Sequence, residues 1–308
     1  MVELTDVQRE ILQKIADMTK IPDGAVNIRS DGKKLYRHNT DTIQIESKTD
    51  KDGIDIHIAP GTKNESVHIP VVLTESGLHD TVYNDFFVGE GADVTIVAGC
   101  GIHNCGCDLS QHDGIHTFYV GKNAKVKYVE KHYGEGDDTG KRVLNPQTIL
   151  YLEEGAQVTL ETSQIRGVDD TKRYTRAEVG PKAQIVIREN LLTHDQQTAD
   201  SEMDVFLNGE GSRADIVSRS VAQDQSSQVF YPRLSGNAPC FGHVTCDAII
   251  MTGAKVRAIP ELTANHVDAS LIHEADIGKI AGEQLQKLQT LGLTAEEAEQ
   301  KILEGFLR

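Results

Sequence analysis

The fold is decided by a short stretch that reads Val88-Gly89-Glu90-Gly91-Ala92-Asp93-Val94-Thr95-Ile96. It consists of a glycine turn, a small residue and then a strand in which apolar and polar residues alternate. Looser copies of the same pattern begin at Val120, Leu152, Val179 and Leu207. Because spacings of roughly thirty residues are too long for hairpins and too regular for chance, each copy is expected to mark one coil of stacked β structure.

The repeats therefore predict a mainly β protein. A right-handed parallel β-helix, or β-solenoid, with α-helices at both ends fits the pattern best. The competing architecture is an antiparallel sandwich or jelly roll, which also has short strands and glycine turns. It ranks second because it predicts less self-similarity along the chain.

Both ends of the chain have helical patterns. Thr5-Asp6-Val7-Gln8 forms a capping-box pattern, and apolar residues follow at helical spacing until Pro22. Near the other end an apolar stripe is closed by Gly292, and Thr294 caps a second helix. We therefore divide the chain into an N-terminal helical segment (1–40), a β-helix core (41–268) and a C-terminal helical segment (269–308).

Composition excludes several classes of function. The 308 residues include 47 acidic and 31 basic residues, giving a formal charge of −16, so nucleic acids and anionic membrane surfaces are poor partners. The sequence has no pattern of a signal peptide and no apolar run long enough to span a bilayer, which predicts a soluble, cytoplasmic protein. The five cysteines are an odd number and do not resemble a secreted disulfide framework, so we expect free thiols or metal ligands.

A central segment concentrates thiols and imidazoles. Its candidate metal ligands are Cys100, His103, Cys105, Cys107, His112 and His116. If the segment is extended, Cys105 and Cys107 point to the same face and could share a metal ion. The spacing matches no standard zinc knuckle, however, and the alternative is that these cysteines pack as small apolar residues while the histidines cap strands.

A second group of candidate ligands lies closer to the C-terminus. Cys246, His273 and Glu274 supply a thiol, an imidazole and a carboxylate, which are the donors that a soft or borderline metal centre needs. The alternative is that Cys246 is an inert buried residue on the last strand. In that case His273 and Glu274 merely open the C-terminal helices.

The same region carries a resemblance to a known family. The motifs that carry it, in order, are Gly242-His243-Val244-Thr245-Cys246-Asp247, Ala258-Ile259-Pro260-Glu261-Leu262, His273-Glu274-Ala275, Gly292-Leu293 and Glu304-Gly305-Phe306. This ordered set resembles the core of the SufB/SufD proteins of the SUF iron–sulfur cluster assembly system. The repetitive body that precedes these motifs also suits the β-helix of that family.

The resemblance implies a scaffold and not a conventional enzyme. Members work with a dimer of the ATPase SufC, so ATP hydrolysis is expected on the partner and a transient iron–sulfur cluster on the scaffold. By position in the motifs, Cys246 would accept sulfur or ligate the cluster, and His273 and Glu274 would add ligands or tune the thiolate. The segment 269–308 would dock the ATPase, and a cysteine desulfurase or another protein would donate sulfur.

Departures from the family pattern refine this expectation. The sequence has no counterpart of the long N-terminal region of typical SufB, and Cys246-Asp247-Ala248 stands where the B-type motif reads Cys-Asp-Ser. These features indicate a compact SufBD-like member that forms a homodimer or pairs with a second SufB/SufD-like protein. Two alternatives stay open, namely a non-catalytic SufD-like adaptor of the ATPase and a carbohydrate-active β-helix enzyme.

Overall fold

The computed structural model describes residues 4–136 and 139–307. Three helices lie at the ends of the chain: α1 (Asp6–Ala16), α2 (Gly282–Thr290) and α3 (Ala295–Phe306). The strands between them are β1 (Ala25–Ser30), β2 (Lys33–His38), β3 (Ile43–Ser47), β4 (Gly53–Ile58), β5 (Lys63–Leu73), β6 (His79–Val88), β7 (Asp93–His103), β8 (Ser110–Val120), β9 (Lys125–Glu135), β10 (Arg142–Leu144), β11 (Gln147–Leu152), β12 (Gln157–Arg166), β13 (Asp170–Val179), β14 (Gln184–Thr193), β15 (Thr198–Leu207), β16 (Ser212–Ala222), β17 (Ser227–Gly236), β18 (Cys240–Ile250), β19 (Lys255–Ala258), β20 (Glu261–Ala264) and β21 (Ala269–Gly278).

The strands form two long sheets. The first sheet has the order β2-β1-β5-β7-β9-β12-β14-β16-β18-β21, and the second runs from β3 and β4 through β6, β8, β10, β13, β15 and β17 to β19. From β5 onwards the chain alternates between the sheets, and neighbours within a sheet are parallel. Each coil thus adds one strand to each sheet, which confirms the predicted β-solenoid with terminal helices.

The repeated glycine motif forms the corner between the sheets. Gly91, Asn123, Gly155 and Lys182 hold the same corner position, and all have φ between 55° and 71°. This left-handed conformation suits glycine and asparagine, which occupy three of these four positions, whereas Lys182 is an exception. At Gly89 a Cβ atom would lie 2.4 Å from the backbone nitrogen of Pro60 in the neighbouring corner. Close stacking of corners therefore adds a second requirement for glycine.

The core lies between the two sheets. Inward side chains alternate with outward ones, and the parallel register stacks each inward residue on its counterpart in the next coil. Val158, Ile185 and Ala214 form one such column. These residues belong to one continuous apolar cluster that follows the solenoid from Ala25 to Cys246. Burial of this column of apolar surface stabilises the stack of coils.

Helix α1 packs on the outer face of the first sheet. The predicted capping box is confirmed, because the Thr5 side chain accepts from the backbone of Gln8 and the Gln8 side chain accepts from the backbone of Thr5. Ile11 and Ile15 are fully buried against β7. The helix covers only part of segment 1–40, since Asp17 adopts a left-handed conformation and the buried residues that follow pair as β1 with β5.

The C-terminal helices also form where the sequence predicts them. Thr294 and Glu297 make a second capping box, and Gly292 has φ +96° between the helices. Segment 269–308 is not helical throughout, however, because β21 pairs with β18 along its whole length before α2 begins. His273 and Glu274 therefore lie on a strand and do not form the beginning of the C-terminal helices. None of the helices described in residues 4–136 and 139–307 is long and apolar enough to cross a membrane.

Candidate functional site

The last two strands of the first sheet carry the C-terminal candidate residues. In the register of β18 and β21, His273 lies beside Val244, Glu274 beside Thr245, and Ala275 beside Cys246. Cys246 faces the interior of the solenoid and is only 4 % exposed. His273 faces the same side from the adjacent strand, two residues along, so its Cα atom lies roughly 8 Å from that of Cys246 by strand geometry.

Glu274 does not join this pair. Adjacent residues on a strand point to opposite faces, so Glu274 lies on the outer face of the sheet. There its Oε2 atom is 3.4 Å from His243 Nε2, while His243 Nδ1 is 3.5 Å from Asp215 Oδ1. The structure therefore brings together Cys246 and His273 on the inside, and places Glu274 in a separate outer cluster.

Electrostatics differ between the two inward groups. Burial raises the pKa of Cys246 to about 12, and the nearby Asp247 and Glu189 carboxylates add to the effect. Burial and the neighbouring His243 lower the pKa of His273, so its imidazole is neutral at pH 7. Among the described residues His273 Nε2 is buried without a hydrogen-bond partner. A neutral imidazole with an unused ring nitrogen is the form that binds a metal ion.

The central candidates are divided between two sides of the first coils. Cys100 on β7 and the pair His112 and His116 on β8 face the interior and are buried. His103 lies at the end of β7 on the outer face. Cys105 and Cys107 are exposed and follow the end of β7, so they lie in a turn and not on one face of a strand as expected from an extended segment.

The interior candidates belong to a buried polar network. His112 Nδ1 lies 3.1 Å from Asp80 Oδ2, and His116 Nδ1 lies 2.6 Å from the Tyr128 hydroxyl. That hydroxyl donates to Glu130, whose other carboxylate oxygen lies 2.6 Å from Arg173 Nη1. Burial lowers the pKa of His116 to about 4, so this imidazole is neutral.

A column of polar side chains connects this network to Cys246. The parallel register aligns Glu130, Thr162, Glu189, Ser218 and Cys246 in consecutive coils of the first sheet. All five are buried. Burying carboxylates opposes folding unless they are paired. The polar residues of this column therefore set it apart from the apolar remainder of the interior.

No three His, Cys, Asp or Glu side chains within residues 4–136 and 139–307 are placed to hold one metal ion. Among these residues neither candidate group brings three such donors to one point. A metal ion bound at either place would therefore need donors from a second protein chain, from the bound species itself, or from side chains that move.

Comparison with known proteins identifies the family. The description "SUF system FeS cluster assembly, SufBD core domain" matches residues 75–306. The chain belongs to the SufBD family. An iron–sulfur cluster assembly SufBD family protein of Archaeoglobus fulgidus is 31% identical over 280 residues, covering 89% of this chain and 73% of the relative. A member from Methanothermobacter thermautotrophicus strain Delta H is 27% identical over 88% of this chain and 66% of its own length. One from Pyrococcus horikoshii is 27% identical over 92% of this chain and 86% of its own.

Family membership supports a role of this SufBD chain in iron–sulfur cluster assembly. All nine candidate residues lie inside the matched region, which begins after β5 and ends within α3. The resemblance based on the C-terminal motifs is thereby confirmed and extended to most of the chain.

Sequence reasoning missed several residues of the SufBD chain that contact the candidates. Glu130, Tyr128 and Arg173 lie in the interior network, and His243 lies beside Glu274. For Glu130 the sequence does contain an indication, because this residue occupies an inward position of an alternating strand where an apolar residue is expected. Arg173 could not be linked to Glu130 from sequence, since 43 residues separate them and only the coil register brings them together.

Proposed function

We propose that this SufBD chain is a scaffold subunit on which a transient iron–sulfur cluster is assembled. The observation that carries the proposal is the inward pair at the end of the solenoid, where Cys246 lies on β18 and His273, with its unpartnered Nε2, lies on β21. A thiolate and an imidazole both suit iron. In this proposal the chain has no enzymatic activity of its own.

A second chain would complete the ligand set. Strand β21 ends the first sheet, so one of its sides has no backbone partner in the described chain. An edge strand of this kind favours pairing with another chain. A homodimer, or a dimer with a second SufB/SufD-like protein, would bring two copies of Cys246, His273 and Glu274 to one interface. It would thus supply the donors that a single chain lacks.

An ATPase partner would dock on the C-terminal helices. Helices α2 and α3 pack on each other, α2 has no buried residue, and Leu291 is 76% exposed. Their apolar stripes suit a groove on a SufC-like ATPase. ATP-driven rearrangement of that partner would then open the last coil and expose Cys246 to iron and to sulfur from a donor such as a cysteine desulfurase.

Anaerobic reconstitution with iron and sulfide tests the cluster site. We expect visible absorbance and bound iron in the wild type, loss of both in Cys246→Ser, and retention in the matched control Cys240→Ser. Cys240 is also buried on β18 but lies six residues from the site. Absorbance that survives Cys246→Ser would contradict the proposed site.

The docking proposal has a separate test. A chain that ends before Gly282 is expected to lose association with a SufC-like ATPase while it retains the circular dichroism of a β protein. Retained association would contradict docking through α2 and α3.

A SufD-like adaptor is the second candidate function. It is favoured by the burial of Cys246 and by the raised pKa of its thiol, which keep this sulfur protonated in the unbound chain. ATPase binding without any cluster in the reconstitution would support the adaptor over the scaffold.

A further inference from the structure

A groove of about 570 Å³ lies on the outer face of the second sheet, and none of the nine candidate residues lines it. One wall of the groove is a ladder of four rings, which belong to His57, Phe87, Tyr119 and Tyr151 on the neighbouring strands β4, β6, β8 and β11. Successive ring centroids are 4.8, 5.1 and 5.5 Å apart, and the ring planes are within 12° of parallel. Because Tyr119 and Tyr151 are 43% and 42% exposed, the ladder forms a continuous apolar wall that solvent reaches.

The floor of the groove consists of small residues. Ala59, Gly89 and Gly121 each follow a ladder residue by two positions, so they belong to the same outer face. Backbone hydrogen bonds from Gly89 to Ile58 and from Gly121 to Val88 place these small residues side by side in consecutive coils. Since no side chain in this row is larger than a methyl group, the space beside the ladder stays open.

Both ends of the groove are negatively charged. The backbone of Ala59 donates to Thr42 and that of Glu153 donates to Val120, so Thr42 and Glu153 end the floor row, roughly 19 Å apart at the usual spacing of strands. Asp41 precedes Thr42, and within residues 4–136 and 139–307 neither the Asp41 nor the Glu153 carboxylate makes an ion pair or a side-chain hydrogen bond. Among the described residues that line the groove, none is a lysine or an arginine. The groove is therefore apolar along its length and carries a carboxylate at each end.

These features determine which class of ligand fits. The faces of the rings stack on each other, so a sugar or a planar aromatic ligand would meet ring edges only. An anion would be repelled by both carboxylates. An extended peptide would bring its own N–H and C=O groups against an apolar wall, and the floor has its backbone N–H groups bonded to the neighbouring coils. A flexible alkyl chain with a positive charge at each end matches both the wall and the ends.

We propose that this groove binds a linear polyamine. Its methylene segments lie along the ring edges, where the burial of apolar surface favours binding. Its terminal ammonium groups meet Asp41 and Glu153, and its inner amino groups donate to the Tyr119 and Tyr151 hydroxyls. This inference goes beyond the proposed cluster site, because it concerns the outer face of the other sheet and needs neither iron nor sulfur.

Calorimetric titration of the full chain, without iron or sulfide, tests the proposal. The titrant is spermine, and putrescine is the short comparison because it cannot span a groove of roughly 19 Å. We expect one spermine molecule to bind per chain, and putrescine to bind at least about tenfold more weakly because it reaches one carboxylate at a time and buries less apolar surface. Equal affinity for the two amines would overturn the proposal.

Variants of the carboxylates separate the groove from diffuse attraction to a chain of charge −16. Asp41→Asn and Glu153→Gln are each expected to weaken spermine binding about two- to fivefold, and the double variant about tenfold. The matched control is Glu210→Gln, an exposed carboxylate between β15 and β16, which should leave the affinity unchanged. An unchanged affinity in the double variant, or an equal loss in Glu210→Gln, would overturn the assignment.

A filled floor tests the apolar part of the site. Ala59→Leu changes no charge and no ring, and Ala59 is exposed, so the urea denaturation midpoint should stay at the wild-type value. The added side chain occupies the space of several methylene groups, so spermine should bind about tenfold more weakly or worse. Wild-type affinity in a folded Ala59→Leu variant would contradict binding along the floor. A groove that binds a proline- and arginine-rich peptide but not spermine would belong to a partner protein, which would also overturn the proposal.

Discussion

His243 Nε2 lies 3.4 Å from Glu274 Oε2 on the outer face of the last strand pair, on the opposite side of the sheet from the Cys246 thiol. The backbone of β18 and β21 separates the two groups. Within one chain Glu274 therefore cannot share a metal ion with Cys246 unless the end of the sheet opens. In the proposed scaffold, Glu274 would act across an interface with another chain.

This arrangement predicts that Glu274 contributes to iron binding more than to stability. Its side chain is 69% exposed, so Glu274→Ala is expected to change the free energy of unfolding by less than about 1 kcal/mol. The same variant should retain less iron after anaerobic reconstitution. Urea denaturation and iron quantification measure the two effects. Asp276→Ala, on the same outer face of β21, is the matched control and should retain the wild-type iron content.

The interior ion pair between Arg173 and Glu130, unlike Glu274, is expected to contribute strongly to stability. The side chains of Arg173 and Glu130 are 6% and 4% exposed, and Arg173 Nη1 lies 2.6 Å from Glu130 Oε2. Arg173→Met leaves a buried carboxylate without its cation, so we expect a loss of about 3–5 kcal/mol in the free energy of unfolding by urea denaturation. Adding Glu130→Gln to Arg173→Met should recover a large part of that loss. A double variant as unstable as the sum of both single variants would show that the two residues do not act as a pair.

Buried histidines predict a loss of stability in mild acid. The pKa of His116 is lowered to about 4 in the folded protein, mainly by burial, while an unfolded histidine has a pKa near 6.5. Between these values the unfolded chain binds a proton that the folded chain does not. The free energy of unfolding should therefore fall by about 3 kcal/mol from this group as pH drops from about 6.5 to about 4.

Substitution of His116 tests this pH dependence. Burial also lowers the pKa of His132, so the wild-type slope includes more than one group. His116→Gln should reduce the slope of unfolding free energy against pH, whatever its effect on stability at pH 7. His266→Gln, at an exposed turn outside the interior, controls for the removal of a histidine. A slope that is the same in His116→Gln and the wild type would contradict the assignment.

The sequence predicted the architecture better than it predicted the site, for physical reasons. Alternation and the glycine corners are local signals, and both sheets follow from them. The same alternation implies that His273 and Glu274 point to opposite faces once β21 is a strand. That strand was missed because it is the mostly exposed end of the sheet, without the buried alternation of inner strands. The contact between Arg173 and Glu130 depends on the coil register, which no local pattern records.

The packing of α1 on β7 yields the last prediction. A Cβ atom at Gly101 would lie 2.1 Å from Ile11 Cγ2, and Ile11 is fully buried with a branched side chain that has little room to move. Gly101→Ala should therefore displace α1 and lower the free energy of unfolding by about 1–3 kcal/mol. Urea denaturation measures this loss.

A matched glycine substitution provides the control for this prediction. At Gly278, at the end of β21, an added Cβ atom meets nothing within 4 Å. Gly278→Ala should leave the urea denaturation midpoint within error of the wild type. A Gly101→Ala variant as stable as Gly278→Ala would contradict the tight packing of α1 on β7.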